Sequence, residues 1–249
     1  MAVVRILVEL RFYAELADFL PRALRGRSFA HAVAMHESIK HIIEALGVPH
    51  TEVDVLLVNG ETAGMERRLQ ANDRVTVFPA LRRLATLRGV APHFAADAHL
   101  GRLARYLRFS GFDTLWDNGW TDADLVAVAA SEDRVVLTRD RALLMHRALP
   151  QGCYLRDTAP LAQLADVAAR YALDLGGRHP ARCLECNERL DPVPKQEVAA
   201  RLFPGTLAGF DEFWRCGCCS GVFWRGSHWR RMRDAVDGVA RAIGNDFAR

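Results

Sequence analysis

The sequence predicts an α/β protein in which a mostly parallel sheet, with helices on both faces, lies between a small α+β domain and a cysteine-bound module. Three observations predict it. From His93 onward, strand-like and helix-like segments alternate over short links, the rhythm of a parallel sheet buried on both sides. The first 80 residues instead place strands before and after a single helix. Two Cys-x-x-Cys pairs then lie 29 residues apart, a spacing suited to four thiolates around one metal ion.

In the first part, VVRILVELRFY (3–13) reads as a strand. ESIKHIIEAL (37–46) carries Ile39, Ile42, Ile43 and Leu46 at helical spacing and stops at Gly47. VDVLLV (53–58) is a strand closed by Asn59-Gly60, a strong hairpin turn, and RVTVF (74–78) is a strand stopped by Pro79. A β-grasp arrangement fits this order. LRRLATLRGVAP (81–92) is basic and ends in proline, and it reads as a linker or connecting helix.

The alternation then begins. HFAAD is a short apolar strand. AHLGRLARYLRFS is a helix with Leu100, Leu103, Ala104 and Leu107 on one face, Arg102, Arg105 and Arg108 off it, and Gly111 as its stop. DTLWD (113–117) is a strand and DADLVAVAASE a helix with Leu125, Val128 and Ala129 inward. RVVLTRD is a strand, RALLMHRAL (141–149) a helix and GCYLRD a strand. PLAQLADVAARYAL is a helix with Pro160 at its start.

All four of these strands finish on an aspartate: Asp97, Asp117, Asp140 and Asp157. A parallel sheet puts its strand ends on one edge, where ligands bind. Carboxylates gathered there repel one another, and a divalent cation relieves that cost. Hard oxygen ligands suit Mg²⁺ or Mn²⁺, which orient water and stabilise charge on a phosphoryl group. Arg102, Arg105, Arg139 and Arg141 are placed to grip phosphates. A second reading stands beside this one. Aspartate is a preferred helix N-cap, and every one of these acids precedes a helix. Thr121-Asp122-Ala123-Asp124 has the form of a capping cluster. His99 reads as a solvent-edge residue.

Cys183 with Cys186 and Cys216 with Cys219 form the two knuckles, leaving Cys218 spare. The segment between them contains DPVPK and LFPGT, too rich in proline and glycine for one long helix. Zinc is therefore expected to hold this module together. Cys153, inside an apolar strand, reads as a small buried residue. In GVFWRGSHWRRMR, Phe223, Trp224 and Trp229 alternate with Arg225, Arg230, Arg231 and Arg233. These aromatics either stack bases or pack against the α/β domain. His228 is a further candidate metal ligand, though four cysteines suffice.

The totals exclude several classes. Half the residues are hydrophobic and a quarter are charged, as in soluble globular chains. The net charge is only +3, but it is uneven: nine basic against ten acidic residues up to 80, then 24 against 20. The later part is the better match to a polyanion. No run approaches the roughly 20 apolar residues of a membrane span, and no signal peptide is visible at the start. Six cysteines in 249 residues point to a metal site in a cytoplasmic protein rather than a disulfide scaffold.

FAADAHLGRLARYLRFSGFDT, DADLVAVAASEDRVVLTRDRALL, RCLECNERL and FWRCGCCSGVFWRGSHW together resemble the Mut7-C RNase domain family over about residues 92–235. The resemblance implies a PIN-like nuclease fold with an appended zinc ribbon. Residues 1–80, with VDVLLVNG and DRVTVFP, resemble the ubiquitin-like β-grasp domain often fused ahead of it, itself similar to the sulfur carriers ThiS and MoaD. The implied layout is a β-grasp domain (1–80), a linker (81–92), a PIN-like RNase domain (93–178), a zinc ribbon (179–235) and a C-terminal helix or tail (236–249). The implied activity is metal-dependent hydrolysis of RNA. Asp97, Asp122, Asp140 and Asp157 would bind one or two Mg²⁺ or Mn²⁺ ions, with Asp117 and Asp124 as substitutes for Asp122. Arg102, Arg105 and Arg139 would position the RNA backbone, and Thr138 a phosphate or a water. The β-grasp domain departs from the sulfur carriers in one respect. VTVFPALRR runs on with no terminal Gly-Gly, which argues against thiocarboxylate chemistry and leaves packing or a protein partner as its role. The rival expectations are a non-catalytic RNA-binding or adaptor protein, and a toxin-like nuclease regulated by a partner.

Overall fold

The structure is a computed structural model that describes residues 4–80, 82, 89, 91–177 and 181–246. The expected linker at 81–92 lies mostly outside the described residues. The chain forms two compact units: Met1–Leu81 with Thr138–Tyr154, and Arg82–Leu137 with Leu155–Arg249.

The first unit is built on five strands and a helix. They are β1 (Arg5–Phe12), β2 (Phe29–Ala34), α1 (Ile39–Ala45), β3 (Val53–Val58), β4 (Glu61–Thr62) and β5 (Arg74–Pro79). The sheet order is β2-β1-β5-β3-β4. β1 and β5 are parallel and the other neighbours antiparallel, which is a β-grasp sheet. Ser38 caps α1 by accepting from the His41 amide at 3.3 Å. Ile39, Ile42 and Ile43 bury one face of α1 in a core with Val8, Leu10, Phe12 and Val77. Each such side chain contributes roughly 1.5–3 kcal/mol. Asn59 (φ 55°) and Gly60 (φ 92°) make the two-residue hairpin that joins β3 to β4. Ala30, His31 and Ala32 are weak strand formers, and the sequence pattern alone predicts no strand at β2. Six registered pairs with β1, from Arg5↔Ala34 to Leu10↔Phe29, override that preference.

The second unit begins with β6 (Phe94–Ala96), α2 (Gly101–Phe109), β7 (Thr114–Leu115), α3 (Asp122–Ser131) and β8 (Val135–Thr138). β6 runs parallel to both neighbours, with Phe94↔Thr114 on one side and Phe94↔Val135 through Ala96↔Leu137 on the other. Phe94, Ala95 and Ala96 are all fully buried, as expected for a central parallel strand. The chain continues through α4 (Arg141–Leu144) and β9 (Gly152–Tyr154), then α5 (Pro160–Tyr171). Two elements are shorter than the pattern suggests. DTLWD pairs only at Thr114 and Leu115, and RALLMHRAL makes a single helical turn before Met145 caps it.

The cysteine-bearing module contains β10 (Leu190–Val193), α6 (Lys195–Val198), α7 (Pro204–Gly209), β11 (Phe213–Cys216) and β12 (Val222–Phe223). Its strands form an antiparallel sheet in the order β10-β11-β12. Its small core holds Val193, Val198 and Phe213. The last helix, α8, spans Ser227–Asp246. Among the described residues, no helix is long and apolar enough to cross a membrane.

Within the first unit, three consecutive residues before β3 hold the segment 138–154. Thr51 Oγ1 donates to the carbonyl of Leu144 at 3.1 Å. The Glu52 carboxylate, itself buried, accepts from the Tyr154 amide. The His50 ring meets the Leu149 carbonyl at 3.4 Å. The Arg141 guanidinium lies 5.0 Å from the Phe19 ring and 5.2 Å from the Tyr154 ring. α4 is too short to be stable by itself, so these contacts fix it.

Candidate metal centre and strand-edge acids

Cys183, Cys186, Cys216 and Cys219 place their sulfurs within 4.8 Å of one another. Cys183 and Cys219 are 3.5 Å apart and Cys186 and Cys216 are 3.4 Å apart. Tetrahedral zinc with Zn–S bonds of about 2.3 Å needs sulfurs roughly 3.8 Å apart, so the four fit that ion. Among the described residues this is the group of three or more metal-competent side chains gathered so closely. Cys218 stays exposed and outside it, as its spacing indicates. Burial pushes the Cys183 thiol up to about 12. Burial also opposes ionisation of Cys186, but hydrogen bonds from the Glu188 amide and then from the Cys216, Cys183 and Cys219 thiols outweigh it and hold it at about 7. Four thiols this close do not ionise together unaided, and a divalent cation is what permits it.

One residue that builds this centre was misplaced by the helical pattern. Arg108, expected on the outer side of its helix, is 2% exposed. Its Nε donates to the Thr114 carbonyl at 2.8 Å, and its Nη1 to the carbonyls of Leu184 and Glu185, each at 2.9 Å. Those two carbonyls lie inside the first knuckle. Burial lowers the Arg108 pKa, and the thiols of Cys183 and Cys186 partly restore it. Guanidinium and knuckle therefore stabilise each other's charge.

Asp113 anchors the same knuckle from the other side. It pairs with Arg134 at 2.6 Å and Arg182 at 3.2 Å, and accepts from Asn187 Nδ2 at 2.9 Å. Asn187 Oδ1 in turn accepts from the Thr114 amide at 3.0 Å. Burial alone would raise the Asp113 pKa, but the hydrogen bonds of Arg134 and Asn187 hold it below the usual carboxylate value. The only signal for this network in the sequence is the polar pair Asp113-Thr114 at a strand start, which does not name partners 70 residues away.

The acids are placed differently. Asp97 follows β6 directly, its amide donates to the Leu137 carbonyl at 3.0 Å, and its carboxylate meets His99 Nδ1 at 3.2 Å. Asp122 is exposed at the first position of α3. Asp140 is the N-cap of α4, with Oδ1 accepting from Ala142 N at 2.7 Å and Leu143 N at 3.3 Å. Asp157 Oδ1 accepts from Ala159 N at 3.0 Å. Asp117 closes a turn onto Gly119 N at 2.8 Å. Asp124 completes a capping box with Thr121, whose hydrogen bonds lower its pKa. Thr138 is fully buried, and its hydroxyl accepts from the Asp140 amide at 2.9 Å. Arg102 and Arg139 are exposed, and Arg105 pairs with Glu185.

A family model described as "Mut7-C RNAse domain" matches residues 92–236, and one described as "Mut7-C ubiquitin" matches residues 5–85. No curated protein matches the chain. Two solved structures do. The solution structure of the Haloferax volcanii HVO 2177 protein is 22% identical, with 30% of this chain covering 83% of that one at a TM-score of 0.25. The crystal structure of H. volcanii small archaeal modifier protein 1 is 20% identical, with 30% covering 97% at a TM-score of 0.25.

Proposed function

Because the chain belongs to the Mut7-C RNAse domain family, we propose that it is a nuclease that hydrolyses RNA phosphodiester bonds with a divalent cation held by Asp97, Asp122, Asp140 and Asp157. The observation that supports this reading, beside the family, is that Asp97 and Asp140 closely follow two strands paired in parallel, β6 and β8. β6 and β8 pair up to Ala96↔Leu137, Asp97 is the next residue after β6, and its amide binds Leu137. The capping bonds of Asp140 and Asp157 engage Oδ1 in each case, so the same residue can cap with one oxygen and offer the other to a cation. All the donors are carboxylate oxygens, the set that Mg²⁺ or Mn²⁺ prefers. When bound, either ion supplies a Lewis acid for phosphoryl chemistry. The protein's own part is to hold the carboxylates: Thr138 shapes the Asp140 turn through the Asp140 amide. Arg102 and Arg139 contribute charge that holds phosphates. The zinc ribbon is structural, and the cytoplasm, where thiols stay reduced, suits it.

The test is cleavage of end-labelled RNA with Mn²⁺. Asp140→Asn should cost at least about 100-fold, since even outer partners of metal ligands cost 10–100-fold. Equal cutting by wild type and Asp140→Asn overturns the assignment. A second reading is favoured by the caps themselves, because Asp124, Asp140 and Asp157 are all hydrogen-bonded to backbone or turn groups. A non-catalytic RNA-binding or adaptor protein would retain RNA whether or not Mg²⁺ is present and cut none at any metal concentration. A protein partner on the β-grasp domain is supported by exposed Val4, Leu7 and Met35, and chemical cross-linking in extracts with Leu7→Glu as control tests it.

A further inference from the structure

The aromatic run that the acid site leaves unused lines a cavity of about 250 Å³ in the second unit. Its walls are Phe223, Trp224 and Trp229, with Leu184 of the first knuckle and Met232 of α8. None of the acids, nor Arg102, Arg105 or Arg139, lines it. We infer that this cavity is a binding site for one unpaired nucleobase of a single-stranded RNA; the inference rests on the reading of RNA as substrate.

The rings are held by neighbouring rings. Trp224 packs against Phe213 at 6.4 Å between centroids, and Trp229 against Phe109, which also lines the cavity, at 5.9 Å. Arg225 lies 5.8 Å from the Trp229 ring, and its charge is met by Glu212 at 3.3 Å. Gly226 is required by this packing, because a Cβ there would sit 2.6 Å from Trp224 Nε1. Aromatic walls already fixed in place lose little entropy when a flat ring enters, and base–aromatic stacking does not depend on base identity.

The rim tells the occupant's charge. Ser227 and His228 line the mouth and are exposed. Arg230 and Arg231, next along α8, are exposed as well. No acid occurs from Cys216 to Arg233. The nearest acidic residues in sequence to the lining are Glu185, which pairs with Arg105, and the exposed Asp234, two residues after Met232. Arg182, which also lines the cavity, is committed to Asp113 and to the carbonyls of Gly111 and Asn187. It holds the wall, leaving the α8 arginines to meet the phosphates. An apolar aromatic slot, with the exposed Arg230 and Arg231 next along the same helix, matches a base with its phosphodiester, and matches a neutral or acidic-flanked apolar peptide less well.

The experiment uses the full zinc-loaded chain without added Mg²⁺ or Mn²⁺, and a fluorescein-labelled ten-nucleotide single-stranded RNA followed by anisotropy. Trp229→Ala is expected to weaken binding about tenfold or more, in line with the loss of one stacked base, and Trp229→Phe to restore most of it. Because Trp229 also packs on Phe109, zinc content and melting temperature are measured in parallel. His228→Glu, at an exposed rim position, tests the same site without touching the walls and should weaken binding several-fold. A blunt RNA duplex of the same length should bind equally to wild type, Trp229→Ala and Trp229→Phe. If the variants keep zinc and their melting temperature yet bind the single strand within twofold of wild type, the inference fails, while Mn²⁺-dependent cleavage that Asp140→Asn abolishes would leave the nuclease reading standing. Self-association that Trp229→Ala abolishes, with RNA affinity unchanged, would make the cavity a protein contact and also overturn it.

Discussion

Cys183, Cys186, Cys216 and Cys219 bring four donor atoms within 4.8 Å before any ion is considered, whereas Asp97, Asp122, Asp140 and Asp157 are each engaged locally or exposed. The difference follows from chemistry. Neutral thiols can crowd, since each is a weak donor and acceptor that tolerates contact. Carboxylates at neutral pH repel and are strongly hydrated, so an acid at a strand end takes a backbone amide as its partner. A sulfur site therefore shows its geometry without metal, and an oxygen site shows its capping role first. Local hydrogen bonding through one carboxylate oxygen is thus compatible with cation binding through the other.

The largest effect that would break this contrast is at the cysteines. Cys183→Ser should lower bound zinc from one ion per chain towards none and unfold the β10–β12 module, while Cys218→Ser changes neither. Atomic absorption and cysteine reactivity read both. Zinc in such modules is worth about 10–16 kcal/mol, so partial retention in Cys183→Ser would mean that the ion is not what holds the module. Asp140→Ser sharpens the other half. Serine keeps the α4 cap but removes the carboxylate, so it should hold the melting temperature while losing cleavage at least about 100-fold. Asp140→Ala should lose cleavage equally and also about 1 kcal/mol of cap. A Ser variant that still cuts would reduce Asp140 to a cap.

Arg108→Met comes next, at about 3 kcal/mol. It strands three carbonyls, and each unsatisfied buried acceptor costs about 1–3 kcal/mol with partial relief from relaxation. Weakened zinc retention should accompany the lost stability, and chemical denaturation with a zinc-sensitive dye measures both. Acidification separates the sulfur and oxygen groups by pH. Zinc needs thiolates, so its affinity falls as pH drops from 8 to about 5. The folded-state pKa of Asp113 is depressed, so its contribution is present above the ordinary carboxylate value and disappears as pH falls through the lower folded value. Asp113→Asn should flatten the melting profile below about pH 4 and leave the zinc transition above it in place. The smallest expected change is Thr51→Val, at about 1 kcal/mol for the hydrogen bond to Leu144, read by urea denaturation.

The sequence made regular elements and the thiolate set legible because both are written in local spacing. The isoleucines of α1, the Asn59-Gly60 hairpin and the separation of Cys216 from Cys219 each lie within a dozen residues. β2 was hidden because pairing with β1, not propensity, makes it a strand. The buried Arg108 was hidden because its partners Leu184 and Glu185 are 76 and 77 residues away. An arginine at an outward helical position is ordinarily exposed, and only a distant set of carbonyls changes that. The acids were legible as strand-end residues, but one carboxylate can serve as cap and as ligand, and spacing cannot separate two uses of the same group.

The hold of His50, Thr51 and Glu52 on the segment from Leu144 to Tyr154 bears on how this chain can be divided. Splitting it before residue 92, where the two family matches part company, severs a sequence boundary but not a physical one. A fragment starting there would wet Leu144 and Tyr154 and loosen the turn behind Asp140, so it should be protease-sensitive around 140–150. Supplying residues 1–80 as a separate polypeptide should quiet that cleavage. Residues 1–80 would then act as a template on which the segment 138–154 folds.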